Sequence, residues 1–236
     1  MKRLIYLFFV ACFVFGSCHK ENTTVQVLTY GTVTDVDGNS YKTVKIGEQW
    51  WMCENLKTTH YRDGSNISYI DINDPDTSWS NTAEGAYCHI NDSIYGNLYN
   101  FKAVTDSRKL APEGWHIPTD VEWQKLEQHI GMSVSQSEML AWRGTNEAEK
   151  LVSKSSIGWP TASHIFGTDE YAFNALPGGV RVMDGSTNTT QSMSFLWTST
   201  SSSNQAYYRY IDFQHKQLFR QRTSSIYGMS IRCVKD

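Results

Sequence analysis

The seven histidines of this chain, at positions 19, 60, 89, 116, 129, 164 and 215, have no spacing that sets two of them on one face. A catalytic imidazole needs a partner within hydrogen-bond reach. His116, next to Trp115, reads instead as a structural residue that ties a strand to its neighbour. No CxxC and no Cys/His pair stands at metal spacing, so no zinc site, catalytic residue or cofactor is expected. Asp35, Asp37 and Asn39 imitate the start of a calcium loop, but the closing Glu is absent and the flanks alternate like strands, which favours a hairpin. Asp71, Asn73, Asp74 and Asp76 have the oxygen ligands a hard cation takes, although a solvated turn around Pro75 is the commoner meaning of such a run. What remains is recognition chemistry. Trp159, Tyr171, Arg181 and Tyr208 are the candidate ligand-binding residues, because aromatic faces stack on sugar rings and a guanidinium holds carboxylates. The bland alternative is that a Trp in an aromatic-rich domain belongs to the core.

These residues need elements to hold them. Gly31 to Asp35 and Tyr41 to Ile46 alternate around Asp37-Gly38, which predicts a β-hairpin, and Gln49 to Leu56 continues as an aromatic strand. Leu98, Phe101 and Val104, three apart, predict a short helix. Trp115 and Ile117 alternate as a strand end, Pro118 stops it, and Thr119 with Glu122 forms a capping box for a helix whose stripe is Trp123, Leu126 and Ile130 and which Gly131 closes. Ser135 with Glu138 reads as a second capping box, and Asn146 as the start of a further short helix. Residues 155–193 dissolve into Gly, Ser, Thr and Asn, a loop long enough to be functional. The last forty residues give four β runs. In one of them Tyr207, Arg209, Ile211 and Phe213 share a face opposite Tyr208, Tyr210 and Asp212.

The 236 residues are 40% hydrophobic and 13% aromatic, enough for one sizeable core. Lys2 and Arg3 precede an apolar run from Leu4 to Gly16 that ends in Gly16-Ser17-Cys18, the pattern of a secretory signal too short to span a membrane. A cysteine directly after the small pair resembles a bacterial lipobox, in which Cys18 carries the lipid and residues 1–18 form the lipoprotein signal. Acyl chains there would hold the protein to a bilayer, on the outer membrane of the cell envelope. Residues 19–29 read as a tether, and 30–236 as a single domain. Losing Lys2 and Arg3 takes 21 basic residues to 19 against 24 acidic, a net charge of −5, and no Lys/Arg cluster appears, which argues against nucleic acid as a partner. Cys53, Cys88 and Cys233 are then the disulfide candidates. Three cysteines allow three single bridges or none.

Taken in order, several stretches resemble the Fibrobacter succinogenes major paralogous domain family. They are Asp-Val-Asp-Gly-Asn through Glu-Asn-Leu-Lys-Thr-Thr at 35–59, Ala-Tyr-Cys at 86–88, Tyr-Gly-Asn-Leu-Tyr-Asn at 95–100 and Gly-Trp-His-Ile-Pro-Thr-Asp-Val-Glu-Trp at 114–123. Ala-Leu-Pro-Gly-Gly-Val-Arg at 175–181, Trp-Thr-Ser-Thr at 197–200 and Ser-Ile-Arg-Cys-Val-Lys-Asp at 230–236 complete the set. The Pro-Thr-x-x-Glu-Trp and terminal Arg-Cys motifs are in turn similar to the formylglycine-generating-enzyme and C-type-lectin-like superfamily. The resemblance implies an α+β, C-type-lectin-like domain with small antiparallel sheets, two or three short helices, adjacent terminal strands and a long loop region. It also implies recognition on that loop, with a polysaccharide or an envelope protein as partner. Two departures stand out. Ala111 occupies the place of the usual cysteine before Gly114, and Cys53 that of a usual alanine. With the terminal strands adjacent, Cys53 and Cys233 become one pairing, and Cys88 with Cys233 another.

Overall fold

The computed structural model describes residues 27–74, 76–89, 93–154, 158–160, 167–188 and 192–236. The signal, Cys18, most of the tether, Pro75 with the Asp76 side chain, and residues 155–157, 161–166 and 189–191 of the long loop lie outside the described residues.

The first half of the chain contains β1 (Tyr30–Thr34), β2 (Ser40–Ile46), β3 (Gln49–Met52), β4 (Ser68–Tyr69), α1 (Asp76–Ser80), β5 (Ala86–His89), β6 (Asn97–Asn100), α2 (Phe101–Val104) and β7 (Trp115–His116). Next come α3 (Asp120–His129), α4 (Val134–Glu138), β8 (Ala141–Arg143) and α5 (Glu147–Leu151). The remainder is β9 (Val180–Arg181), β10 (Thr187–Asn188), β11 (Met193–Ser202), β12 (Gln205–Asp212), β13 (Leu218–Ser224), β14 (Gly228–Met229) and β15 (Val234–Lys235). Among the described residues the strands form three sheets, ordered β1-β2-β3-β15-β7, β10-β9-β14-β6-β5-β4 and β11-β12-β13-β8. Pairing is antiparallel except between β4 and β5. The architecture is sheet-rich α+β.

Local chemistry explains most boundaries. The β1–β2 turn is wound on Asp35, whose carboxylate accepts from the Asp37 and Asn39 N–H groups and, at 2.6 Å, from the Tyr41 hydroxyl, so this is the hairpin and its acid is spent on the turn. Thr119 caps α3 in the expected box with Glu122, and Gly131 follows at φ 122°. The second box is displaced by two residues from the expected one: Ser133 and Gln136 cap α4. Asn146 precedes α5 without a side-chain cap. Leu98 lies in a strand, not a helix, because Asn100 ends β6 by turning its side chain onto the Ala103 N–H and starting the four-residue α2. The fourth terminal β run is split into β14 and β15.

Helix α3 fills the space between the first and third sheets. Trp123, Leu126 and Ile130 are buried with Val44, Trp51, Leu196, Ile211 and Val234, and the Trp51 and Trp123 rings meet at 5.0 Å. Beneath the third sheet the contact is ionic. Arg209 donates to Glu127 at 2.6 Å and to Asp120 at 2.7 Å, Arg143 reaches Glu127 at 2.8 Å, and Arg220 grips Asp120 at 2.9 and 2.6 Å. Burial opposes the Asp120 charge, but Arg220 and Arg209 overcome it and hold the carboxyl below its ordinary value.

Candidate functional site

Three clefts of this domain share Arg62, in the turn ahead of β4. Its backbone N–H donates to the Lys109 carbonyl at 2.8 Å. Its guanidinium donates to the carbonyls of Ala111 (2.9 Å), Pro112 (2.7 Å) and Trp115 (2.8 Å), pinning the loop that leads into β7. A cavity of about 240 Å³ opens there. Buried Val104, Leu110, Ala111, Trp115 and Ile117 make an apolar floor under a rim of Thr105, Asp106, Lys109, His116, Ser199 and Asp236. Arg62, Leu110 and Ala111 also line an adjoining cavity of about 230 Å³ that reaches Asp35 and Glu113. Arg62 and Lys109 line a more open one of about 540 Å³ with Asp63 and Arg108. Lys109 sits at φ 62°, in the left-handed region that a side chain rarely adopts.

The rim's acids and its imidazole are engaged in ion pairs. His116 Nε2 lies 2.8 Å from Glu122 and Nδ1 2.6 Å from Asp236, and these contacts, Glu122 first, raise the imidazole pKa against the opposing effect of burial. Burial works against the Glu122 charge, but His116 and the Thr119 N–H and hydroxyl more than offset it and hold the carboxyl down to about 2. The capping box of α3 and the cleft rim therefore share one carboxylate. Arg108 takes Asp106 through two nitrogens at 2.9 and 2.7 Å and holds it down to about 2. With both His116 nitrogens engaged, the imidazole is clamped between two carboxylates rather than free to act as a base.

The four sequence-derived ligand residues are not brought together. Trp159 is buried and donates to the Ala175 carbonyl at 3.0 Å. Arg181 is fully buried; it donates to the carbonyls of Gly185, Ile70 and Asp71 and lies 4.5 Å over the Trp79 ring, so its guanidinium braces β9 rather than meeting solvent. Tyr171 packs edge-on against His129 at 5.8 Å. Tyr208 is half-buried beside a row of aromatics that crosses the third sheet in register, Trp142, Phe219, Tyr210 and Phe195, with successive centroids 5.1, 5.8 and 4.5 Å apart. Such cross-strand pairs stabilise a sheet in their own right. Among the described residues of 155–193, none lines the Arg62 clefts.

The remaining candidates have structural roles. Asp71 accepts from the Asn73 N–H and side chain and from the Tyr69 hydroxyl, and among the described residues no three His, Cys, Asp or Glu side chains converge for a metal. Cys53, Cys88 and Cys233 are buried and free, which leaves none of the bridges formed. Burial pushes the Cys53 and Cys88 thiols up to about 11 and Cys233 higher still. Reading the sequence alone misses Arg62, Lys102 and Lys109. The one local hint was the charged run Asp106-Ser-Arg-Lys109 ahead of the Gly114 motif.

A sheet-rich α+β domain stitched by buried arginines, with clefts around Arg62, is the class that fold and site define. The family model of the Fibrobacter succinogenes major domain matches residues 44–235, and the chain belongs to that family. No curated protein and no solved structure matches this chain. Among the described residues no helix is long and apolar enough to cross a membrane.

Proposed function

We propose that this is a lipid-anchored cell-envelope protein, held to the outer membrane through Cys18, whose domain binds glycans or other surface ligands without catalysis, in the cleft beside Arg62. The observation that carries the reading is the pairing of an apolar floor with a rim on which Asp106 is engaged by Arg108 and His116 lies between Asp236 and Glu122. Such a rim orients a polar ligand and has no free base to attack it. The same proposal places the domain in the C-type-lectin-like and formylglycine-generating-enzyme-like group. In its support, β15 lies beside β3 near the start of the domain, and α3 opens on the Pro-Thr-x-x-Glu-Trp motif.

A glycan array on the mature domain is expected to give signal that is lost in Thr105→Trp, which fills the exposed mouth of the cleft. No array signal alongside capture of an envelope protein would favour the alternative, protein adhesion or a structural envelope role, for which the half-buried aromatic row of the third sheet is the natural surface. Membrane partition of a Cys18→Ala variant would count against the anchor.

A further inference from the structure

We infer that the ligand is an anionic glycan, one bearing carboxylate or sulfate groups, lying extended from Arg62 past Thr105 to Lys102. The inference rests on the glycan-binding reading and adds charge and length to it. The 240 Å³ cavity shares Thr105 with a second one of about 530 Å³, lined by Phe101, Lys102, Asn204, Gln205 and Ser224 among others. Thr105, just past the end of α2, borders both, so a ligand lying across it can reach into each. Neutral amides and hydroxyls dominate the second cavity, the groups that exchange hydrogen bonds with sugar hydroxyls.

Charge decides the class. Asp106 and Asp236, the acids of the first cavity, are taken by Arg108 and His116. Arg62, Lys102 and Lys109 form no ion pair among the described residues: Arg62 is held by carbonyls, Lys102 donates to the Thr82 carbonyl, and Lys109 is exposed. Asp63, on the outer cavity, is turned onto the Ser65 N–H and hydroxyl. In a protein of net charge −3, three cations without ion-pair partners thus line these neighbouring cavities, Asp63 standing on the outer one and Asp35 and Glu113 on the adjoining one. Lys109 adds a second observation. Its left-handed backbone is locked by its N–H on the Asp106 carbonyl and its carbonyl on the Arg62 N–H, and that fixed backbone places it on the wall of both the first and the outermost cavity.

The test is calorimetric titration of the mature domain with short oligogalacturonates, a sulfated glucan and neutral oligosaccharides of equal length, at low and high salt. Binding of one or both anionic probes, weakening several-fold with salt and about tenfold in the Lys102→Met, Lys109→Met double variant, supports the inference, and the two probes separate carboxylate from sulfate. The Lys→Arg pair should retain affinity, which separates lost charge from lost fold. Equal, salt-independent binding of neutral probes overturns the inference and leaves the glycan reading intact. Anionic binding untouched by the Lys→Met pair also overturns it. Silence from every probe removes both.

Discussion

Beneath the third sheet, Arg143, Arg209 and Arg220 are drawn onto Asp120 and Glu127, whereas along the groove Arg62, Lys102 and Lys109 meet no carboxylate. Both regions concentrate cations, and both lie next to an α-helix. In the first, water is gone, and each guanidinium must find an acid in good geometry or the desolvation penalty stands unopposed. In the second, Lys109 is exposed to water and Arg62 and Lys102 are held by carbonyls, so the charge is solvated or hydrogen-bonded without an acid from the chain. Net charge, which is negative for the whole protein, describes neither region. Arg181 and Arg232 form an intermediate case: buried, yet bonded to carbonyls instead of acids, with Arg232 on Phe173, Asn174 and the Asn55 side chain.

Breaking the buried half should have the largest effect. Glu127→Ala strands Arg143 without a charge partner, leaves Arg209 with Asp120 alone, and should cost about 3–5 kcal/mol in denaturant unfolding, whereas Lys102→Met should stay within about 0.5 kcal/mol. Comparable losses in the two variants would erase the distinction. Lys109→Gly sharpens it from the other side. Glycine relieves the left-handed backbone at φ 62°, and after its own entropy cost a net gain of about 0.5–1 kcal/mol in stability is expected, with weaker binding of anions. A variant that is both less stable and unchanged in binding would contradict both roles.

The smallest effect belongs to the clamp between the two regions. Because the His116 pKa is raised in the folded state, its contribution is full below about pH 6.5 and is lost as pH rises through the raised value. Glu122, held down to about 2, contributes above about pH 4.3 and loses that contribution as pH falls toward 2. The melting temperatures of the parent and His116→Gln should therefore converge as pH is raised from about 6 to 9. A gap that widens instead would reverse the assignment.

The sequence made legible what is decided within a few residues. The Thr119 box and the inward placement of Arg209 and Ile211 on β12 follow from spacing alone. Leu98, Phe101 and Val104 misled because a strand and one turn of helix joined at Asn100 reproduce a helical spacing. The site was less legible. Arg62 and Arg181 each end on three carbonyls, yet only Arg62 also lines the clefts, and nothing local in the sequence separates the two. The difference is set by which distant loop packs beside it: residues 109–115 for Arg62, and residues 70–71 for Arg181.

The position of β15 bears on how the molecule is made. It is inserted between β3 and β7, so the first sheet has a gap in its middle until residue 235 is available. Until then the open edges of Trp51 and Trp115 are exposed to any stray strand. Closure across so long a sequence separation is intrinsically slow. Strand β15 is thus the latch of the first sheet, and whatever delays its docking keeps β3 and β7 apart.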